Sequence, residues 1–206
     1  MDLESTDPAT IEAVLVTDKG TMVVTFFPEQ APQHVASFLK LAQAGFYNGT
    51  SFHRIVRNFM IQCGCPHSKA DGSKMDEAGQ PEAGQPETGP QQDGQPGTGG
   101  PGFTVPAEIS DIHHERGILS MARGSDPNSA GSQFFIVHGD ADHLDGQYTV
   151  FGKIEEGLDV LDAIASIDCD FGPTGEKSTP KERVEIQGIE LRPRQERVME
   201  QTADDS

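Results

Sequence analysis

Residues 51 to 62 read SFHRIVRNFMIQ, a run that sets Arg54 among Phe52, Phe59 and Met60 and ends on Gln62. Alternation along it predicts two short strands, with Arg54 projecting beside apolar side chains and only partly hydrated. Two roles fit such an arginine. It can snorkel from an edge strand over a core, or it can be a cation held partly out of water for a purpose. The run alone leaves both open.

Outward from this run, the chain is punctuated for β structure with few helices. Ile11–Thr17 and Met22–Phe27 are rich in Val, Thr and Phe and are joined by Asp18-Lys19-Gly20, which predicts a β-hairpin. A helix is predicted from Pro32, with Val35, Phe38, Leu39 and Ala42 at helical spacing and Gly45 as its C-terminal cap. A second is predicted from Gly157 to Ser166, with Leu158, Leu161 and Ala165 on one face. The other apolar stretches, 51–55, 59–63, 118–122, 133–137, 148–152 and 183–191, are short and β-rich. Many strands with two helices predict a mainly β, antiparallel fold with helical caps.

Composition narrows the partners. The 206 residues suit one ordinary domain with extras. With 33 acidic against 15 basic residues, a net charge of -18 argues against a phosphate-neutralising surface, so no nucleic acid is expected. No run approaches membrane-spanning length, and the acidic start MDLESTDPAT is unlike a signal peptide. A cytoplasmic monomer without membrane contact is expected. Three cysteines make no disulfide framework, and reduced thiols are expected.

Three further segments divide from the rest. Residues 1–9 are predicted to be a disordered acidic lead, and residues 193–206 a polar tail, leaving a domain over 10–192. Within that domain, about residues 68–98 form a Pro/Gly/Gln-rich insertion. Its residues 76–100 are five pentapeptides, DEAGQ, PEAGQ, PETGP, QQDGQ and PGTGG, with glycine fourth in each. A period of five fits neither helix nor strand, and the composition buries too little apolar surface to offset ordering entropy. A mobile loop is expected, with Pro81, Pro86, Pro90 and Pro96 as X-Pro bonds that could visit the chain's own groove.

The fold and chemistry sharpen on two more stretches, LSMARGSDPNSAGSQFFIV at 119–137 and LDGQYTVFGK at 144–153. Together with 51–62, in this order, they resemble the cyclophilin family of peptidyl-prolyl isomerases, from about Ile11 to Leu191. The resemblance implies a closed eight-stranded antiparallel β-barrel capped by two α-helices, acting on proline-containing peptides and unfolded protein clients with no cofactor and no metal. It implies that Arg54, Phe59 and Gln62 are catalytic. Met60, Phe135 and Leu144 line a proline slot with Phe59; Ala122, Arg123 and Gln133 hold the substrate backbone with Gln62; His53, His143 and Tyr148 stand at the rim.

The chemistry expected of Arg54 follows from amide physics. X-Pro rotation crosses a barrier of about 18–20 kcal/mol because resonance is broken as the bond twists. Twisting returns a lone pair to the prolyl nitrogen, and a fixed donor aimed there stabilises the twisted state above both planar ones. Arginine remains charged at any working pH and presents a planar fork of donors. A non-catalytic proline-segment binding module would use the same groove without needing that charge.

Departures from the family pattern are local. The resemblance implies cyclosporin binding helped by a tryptophan before the LDG run, and this chain has His143 there. Arg123 stands where asparagine is frequent, a change expected to tune substrate choice. After Gln62 the family's Gly-Gly-Asp-Pro is replaced by Cys63-Gly64-Cys65-Pro66-His67. On an extended strand Cys63, Cys65 and His67 would share one side, which suits a metal or redox site, against the alternative of packed thiols. His113-His114-Glu115 and the run His138, Asp140, Asp142, His143, Asp145 lack known metal spacings, so solvated loop charge is expected. No GxSxG supports a hydrolytic role for Ser132 and His138.

Overall fold

The computed structural model describes residues 2, 3, 5–70 and 94–195. The repeat run as far as residue 93, with Pro81, Pro86 and Pro90, and the tail beyond residue 195 lie outside the described residues, as do the expectations attached to them. In chain order the elements are β1 (Ile11–Thr17), β2 (Gly20–Phe26), α1 (Pro32–Gln43), β3 (Arg54–Val56), β4 (Met60–Cys63), β5 (Ile118–Met121), β6 (Phe134–Val137), β7 (Val150–Glu156), α2 (Leu158–Ala165), β8 (Cys169–Phe171), β9 (Lys177–Pro180) and β10 (Ile186–Pro193). Ahead of β1, Asp7 caps a single 3-10 turn at Pro8–Thr10 by accepting from the Ala9 amide.

Eight strands form one antiparallel sheet in the order β10-β1-β2-β7-β5-β6-β4-β3. The expected closed barrel needs one correction: β3 and β10 are the sheet's edges and share no ladder. They meet through backbone ahead of β3 and around the start of β10, where Gly49 N donates to Ile186 O at 2.8 Å, Ile186 N to Thr50 O at 2.8 Å and Phe52 N to Val184 O at 3.0 Å. The cause is the shortness of β3, which gives way to a turn after Val56. The result is a curled sheet whose seam is sewn by loop backbone.

Both helices form near their expected positions. Pro32 opens α1, where its missing N–H is no loss, and Gly45 leaves it at φ 72°. In α2 the buried face is Val160, Leu161, Ile164 and Ala165, while Leu158 is 40% exposed at its margin and leans over Gly117. The first helix packs on β10 and β7, the second on β2, β3 and β4. One hairpin, β8–β9, has no counterpart among the expected strands.

The pleat sorts side chains between two buried clusters. Inward from β4, β5 and β6 point Ile61, Cys63, Leu119, Met121, Phe134 and Ile136, joining a core centred on Phe38. That ring stands 5.1–5.5 Å from the centroids of Tyr47, Phe134, Phe151 and Phe26. Outward point Met60, Ile118, Phe135 and Val137, which form a second cluster with Leu144 and Val150. A period of two thus puts core and surface pocket on the same strands.

Candidate active site

The β3–β4 hairpin turns at Asn58, a non-glycine residue at φ 62°, with Phe59 N donating to Val56 O at 3.0 Å. Asparagine tolerates that left-handed backbone better than most residues. The register follows: Arg54 opposes Gln62, Val56 opposes Met60, and across the next ladder Gln62 opposes Phe135. Arg54, Gln62 and Phe135 therefore line up on the outer face of three adjacent strands. The hairpin fixes Arg54 opposite Gln62, and the β4–β6 ladder adds Phe135.

Around the row lies a cavity of about 140 Å³ lined by Arg54, Phe59, Met60 and Gln62 from the hairpin. Ala122, Arg123, Phe135, Leu144 and Tyr148 complete its walls. Met60 is 1% exposed, Phe135 5% and Leu144 9%, so the floor is apolar and almost dry. Arg54 spans the mouth with its Nη1 3.6 Å from Met60 Sδ and 3.5 Å from Gln62 Oε1, and its guanidinium carbon is 6.0 Å from the Phe59 ring centre. A donor cation thus overhangs a slot of apolar walls.

A larger cavity of about 760 Å³ adjoins the first and shares Gln62, Ala122 and Arg123 with it. Gln133 stands between segments: it accepts from Gln62 Nε2 at 3.0 Å and donates to the carbonyls of Gly97 at 3.0 Å and Gly99 at 2.7 Å. The described end of the insertion therefore forms one bank of the groove. Arg123 sits over Tyr148, its guanidinium carbon 4.5 Å from the ring centre, and donates to Gly124 O and Gln147 O. His143 packs on Phe59 at 5.3 Å between ring centres, outside the cavity lining. His53 stands against the bank of the groove, where a Cβ on Gly97 would come within 3.5 Å of its ring, and burial pushes its pKa down to about 4.

Phe135 is backed by an arrangement the sequence does not announce. His114, wholly buried, stacks on it at 6.1 Å, with Nδ1 2.8 Å from Asp145 Oδ1 and Nε2 3.0 Å from Ser120 Oγ. Ser120 Oγ in turn donates to Thr149 O at 3.0 Å. Asp145 also meets His113 at 2.6 Å, and these contacts, His113 first, hold its carboxyl far below the usual range. His113 is exposed, but the expectation of solvated loop charge is corrected for His114 and Asp145, and likewise for His138, which accepts from Asn58 N and meets Asp162. They brace loops that carry the cavity walls.

The segment after Gln62 departs from an extended strand. Gly64 adopts φ 83°, where a Cβ would fall 2.4 Å from Ser132 O, and Pro66–Ser68 forms a 3-10 turn. Cys63, Cys65 and His67 consequently do not share a side. Cys63 enters the core, Cys65 Sγ accepts from the amides of Gly97 and Gly99, and His67 meets Thr98. Among the described residues no group of three His, Cys, Asp or Glu side chains could hold a metal ion, and all three cysteines are free and buried. Cys169, placed in β8, donates to Ile55 O at 3.6 Å.

One residue at the mouth was not singled out by the sequence. Glu176, in the turn between β8 and β9, takes Arg54 Nε at 2.9 Å and Nη2 at 3.1 Å. Its separation of 122 residues from Arg54, in a polar turn, left no periodic signal. This pairing holds the Glu176 carboxyl below its ordinary pKa.

Comparison with known proteins decides the family. A family model described as cyclophilin type peptidyl-prolyl cis-trans isomerase/CLD matches residues 13–191. The chain belongs to that family. A peptidyl-prolyl cis-trans isomerase of Synechococcus elongatus is 42% identical over 159 residues, covering 76% of this chain and 90% of the relative. Isomerase B of Bacillus subtilis is 40% identical over 147 residues, 70% of this chain and 83% of the relative. Among solved structures, a cyclophilin-type isomerase of Cryptosporidium parvum, determined in the presence of the dipeptide Ala-Pro, superposes with a TM-score of 0.67 at 27% identity, covering 89% of this chain and 99% of that one. This cyclophilin is thus a peptidyl-prolyl cis-trans isomerase, and its curled sheet with two helices is the family fold.

Proposed function

We propose that Arg54 is the electrostatic catalyst of this isomerase and that the outer-face cavity receives the prolyl ring. The observation that carries the proposal is the position of Arg54 Nη1, over Met60 Sδ at the mouth of an apolar cavity. A ring seated on Met60, Phe135 and Leu144 brings its nitrogen under the guanidinium. As the bond twists and the nitrogen lone pair localises, the donor engages it, and the planar forms gain less. Low hydration of the floor strengthens that contact.

The remaining site residues divide the work between holding and turning. Gln62 and Gln133, already bonded to each other, present amides to the substrate backbone, while Ala122 and Arg123 border both cavities. Phe59 closes the slot, supported by His143, and His53 stands at the rim against Gly97. With the backbone clamped on one side of the proline, rotation falls on the free side. Arg123 is expected to tune substrate choice. Cyclosporin is expected to bind weakly, because His143 offers less apolar surface than an indole.

The substrates proposed are proline-containing peptides and unfolded chains, handled by a cytoplasmic monomer. The net charge of -18 opposes nucleic-acid binding, and among the described residues no helix is long and apolar enough to cross a membrane. Isomerisation of an Ala-Pro peptide, followed for wild type and Arg54→Ala, tests the catalyst assignment. A loss of about 2–4 kcal/mol of transition-state stabilisation is expected from the substitution. Equal rates would reject the role of Arg54, and an inactive wild type would indicate a module that only binds.

A further inference from the structure

We infer that Glu176 is a positioning residue for Arg54, a step that rests on the catalytic reading of that arginine. The guanidinium is held at two of its three nitrogens: Nε donates to one Glu176 carboxylate oxygen at 2.9 Å and Nη2 to the other at 3.1 Å. Paired, parallel bonds of this kind fix the plane of the fork as well as its place. The third nitrogen, Nη1, is thereby turned toward Met60 Sδ and Gln62 Oε1, on the cavity side. Glu176 thus engages the other two nitrogens and leaves Nη1 on the cavity side, with only long contacts to Met60 Sδ and Gln62 Oε1.

The turn that carries Glu176 is built to hold it there. Gly172 N donates to Glu176 O at 2.8 Å and Gly175 N to Gly172 O at 2.9 Å, with Gly175 at φ 79°. Behind the turn, Cys169 Sγ donates to Ile55 O at 3.6 Å, tying the β8–β9 hairpin to the residue next to Arg54. The carboxylate is thus referenced to the same strand as the guanidinium. An arginine 35% exposed would otherwise sample many rotamers, and each misplaced rotamer is unproductive at the prolyl nitrogen.

Two effects of the carboxylate oppose each other. It draws charge from the guanidinium and so weakens the donor, and it holds the donor in line. Two bonds to one carboxylate, with Nη1 left on the cavity side, favour the second effect. Glu176 therefore raises turnover without forming part of the substrate's binding surface; it does not line the cavity.

The test is steady-state isomerisation by Glu176→Gln, Glu176→Ala and Glu176→Asp, each alone and in an Arg54→Ala background. Gln and Ala are expected to lower kcat about tenfold while KM moves by less than about twofold, and Asp to recover part of the loss. In the Arg54→Ala background the same changes should cost nothing further, since there is no donor left to position. A thermal midpoint for Glu176→Gln near that of wild type excludes loss of fold as the cause. Wild-type kcat in both Gln and Ala variants, a raised kcat, or an equal loss with and without Arg54 would overturn the inference. Equal rates for wild type and Arg54→Ala would instead remove the catalytic reading on which it stands.

Discussion

Neighbouring residues on β4 and β6 face opposite ways into surroundings that burial alone does not separate. Inward, Ile61 and Phe134 are wholly buried among the barrel aromatics; outward, Met60 and Phe135 are 1% and 5% exposed. What differs is the company. The inner cluster packs ring on ring around Phe38, whereas the outer one is rimmed by two guanidiniums, two glutamines and an open cavity. A buried hydrophobic residue is core or site according to which groups share its face, and one residue of register decides which.

The sharpest way to break this comparison is to truncate one ring on each face. Phe134→Ala removes an inner ring and is expected to destabilise by about 3–5 kcal/mol in denaturant unfolding, whatever its effect on activity. Phe135→Ala opens onto an existing cavity, so about half that loss is expected, with activity falling further than stability explains. Similar stability losses and equal residual activity would erase the distinction between faces.

Gly64 joins the two faces, since it ends β4 and brings the chain against Ser132. Gly64→Ala places a Cβ 2.4 Å from Ser132 O at a φ of 83°, and about 2–3 kcal/mol of destabilisation is expected. Thermal unfolding at near-wild-type temperature would show that the contact with Ser132 yields more easily than its geometry implies.

A pH dependence is expected at His53. The His53 pKa is about 4 in the folded chain, while an unfolded histidine titrates near its ordinary 6.5. The unfolded state therefore takes the proton first, so stability is complete above the unfolded value and falls as pH drops toward 4. The full loss is about 3 kcal/mol, and His53→Gln should flatten the profile over that window. An unchanged slope in the variant would mean that other groups carry it.

The smallest effect is expected where His143 supports Phe59. His143→Ala should raise KM by about threefold with kcat nearly unchanged, a loss typical of one ring contact. A fall in kcat alone would place His143 nearer the reacting bond than its position outside the cavity allows.

How much of this was legible before the structure depended on sequence separation. The β1–β2 hairpin and α1 follow from local period and from Pro and Gly at their ends. Arg54 and Gln62 also meet within one hairpin, so their alliance could be read locally. Phe135 and Leu144 needed the family resemblance, because apolar residues on a short strand do not say which face they serve. Glu176 escaped because β8 and β9 are short and polar, each burying a single residue, Cys169 and Ser178. His114 escaped for the opposite reason. Its partners Asp145 and Ser120 make it interior, although its neighbours in sequence are charged. The closure that the resemblance implied was overstated, because neither it nor the strand pattern reveals that β3 and β10 share no ladder.

The central claim is that Arg54 acts on the twisting bond and not on affinity. Exchange spectroscopy of an Ala-Pro peptide bound to wild type and to Arg54→Ala reads the interconversion rate on the protein separately from binding. The account predicts retained binding by Arg54→Ala with bound-state exchange slowed by about 30-fold to 1,000-fold, the equivalent of about 2–4 kcal/mol. Unchanged exchange, or a loss confined to affinity, would contradict it.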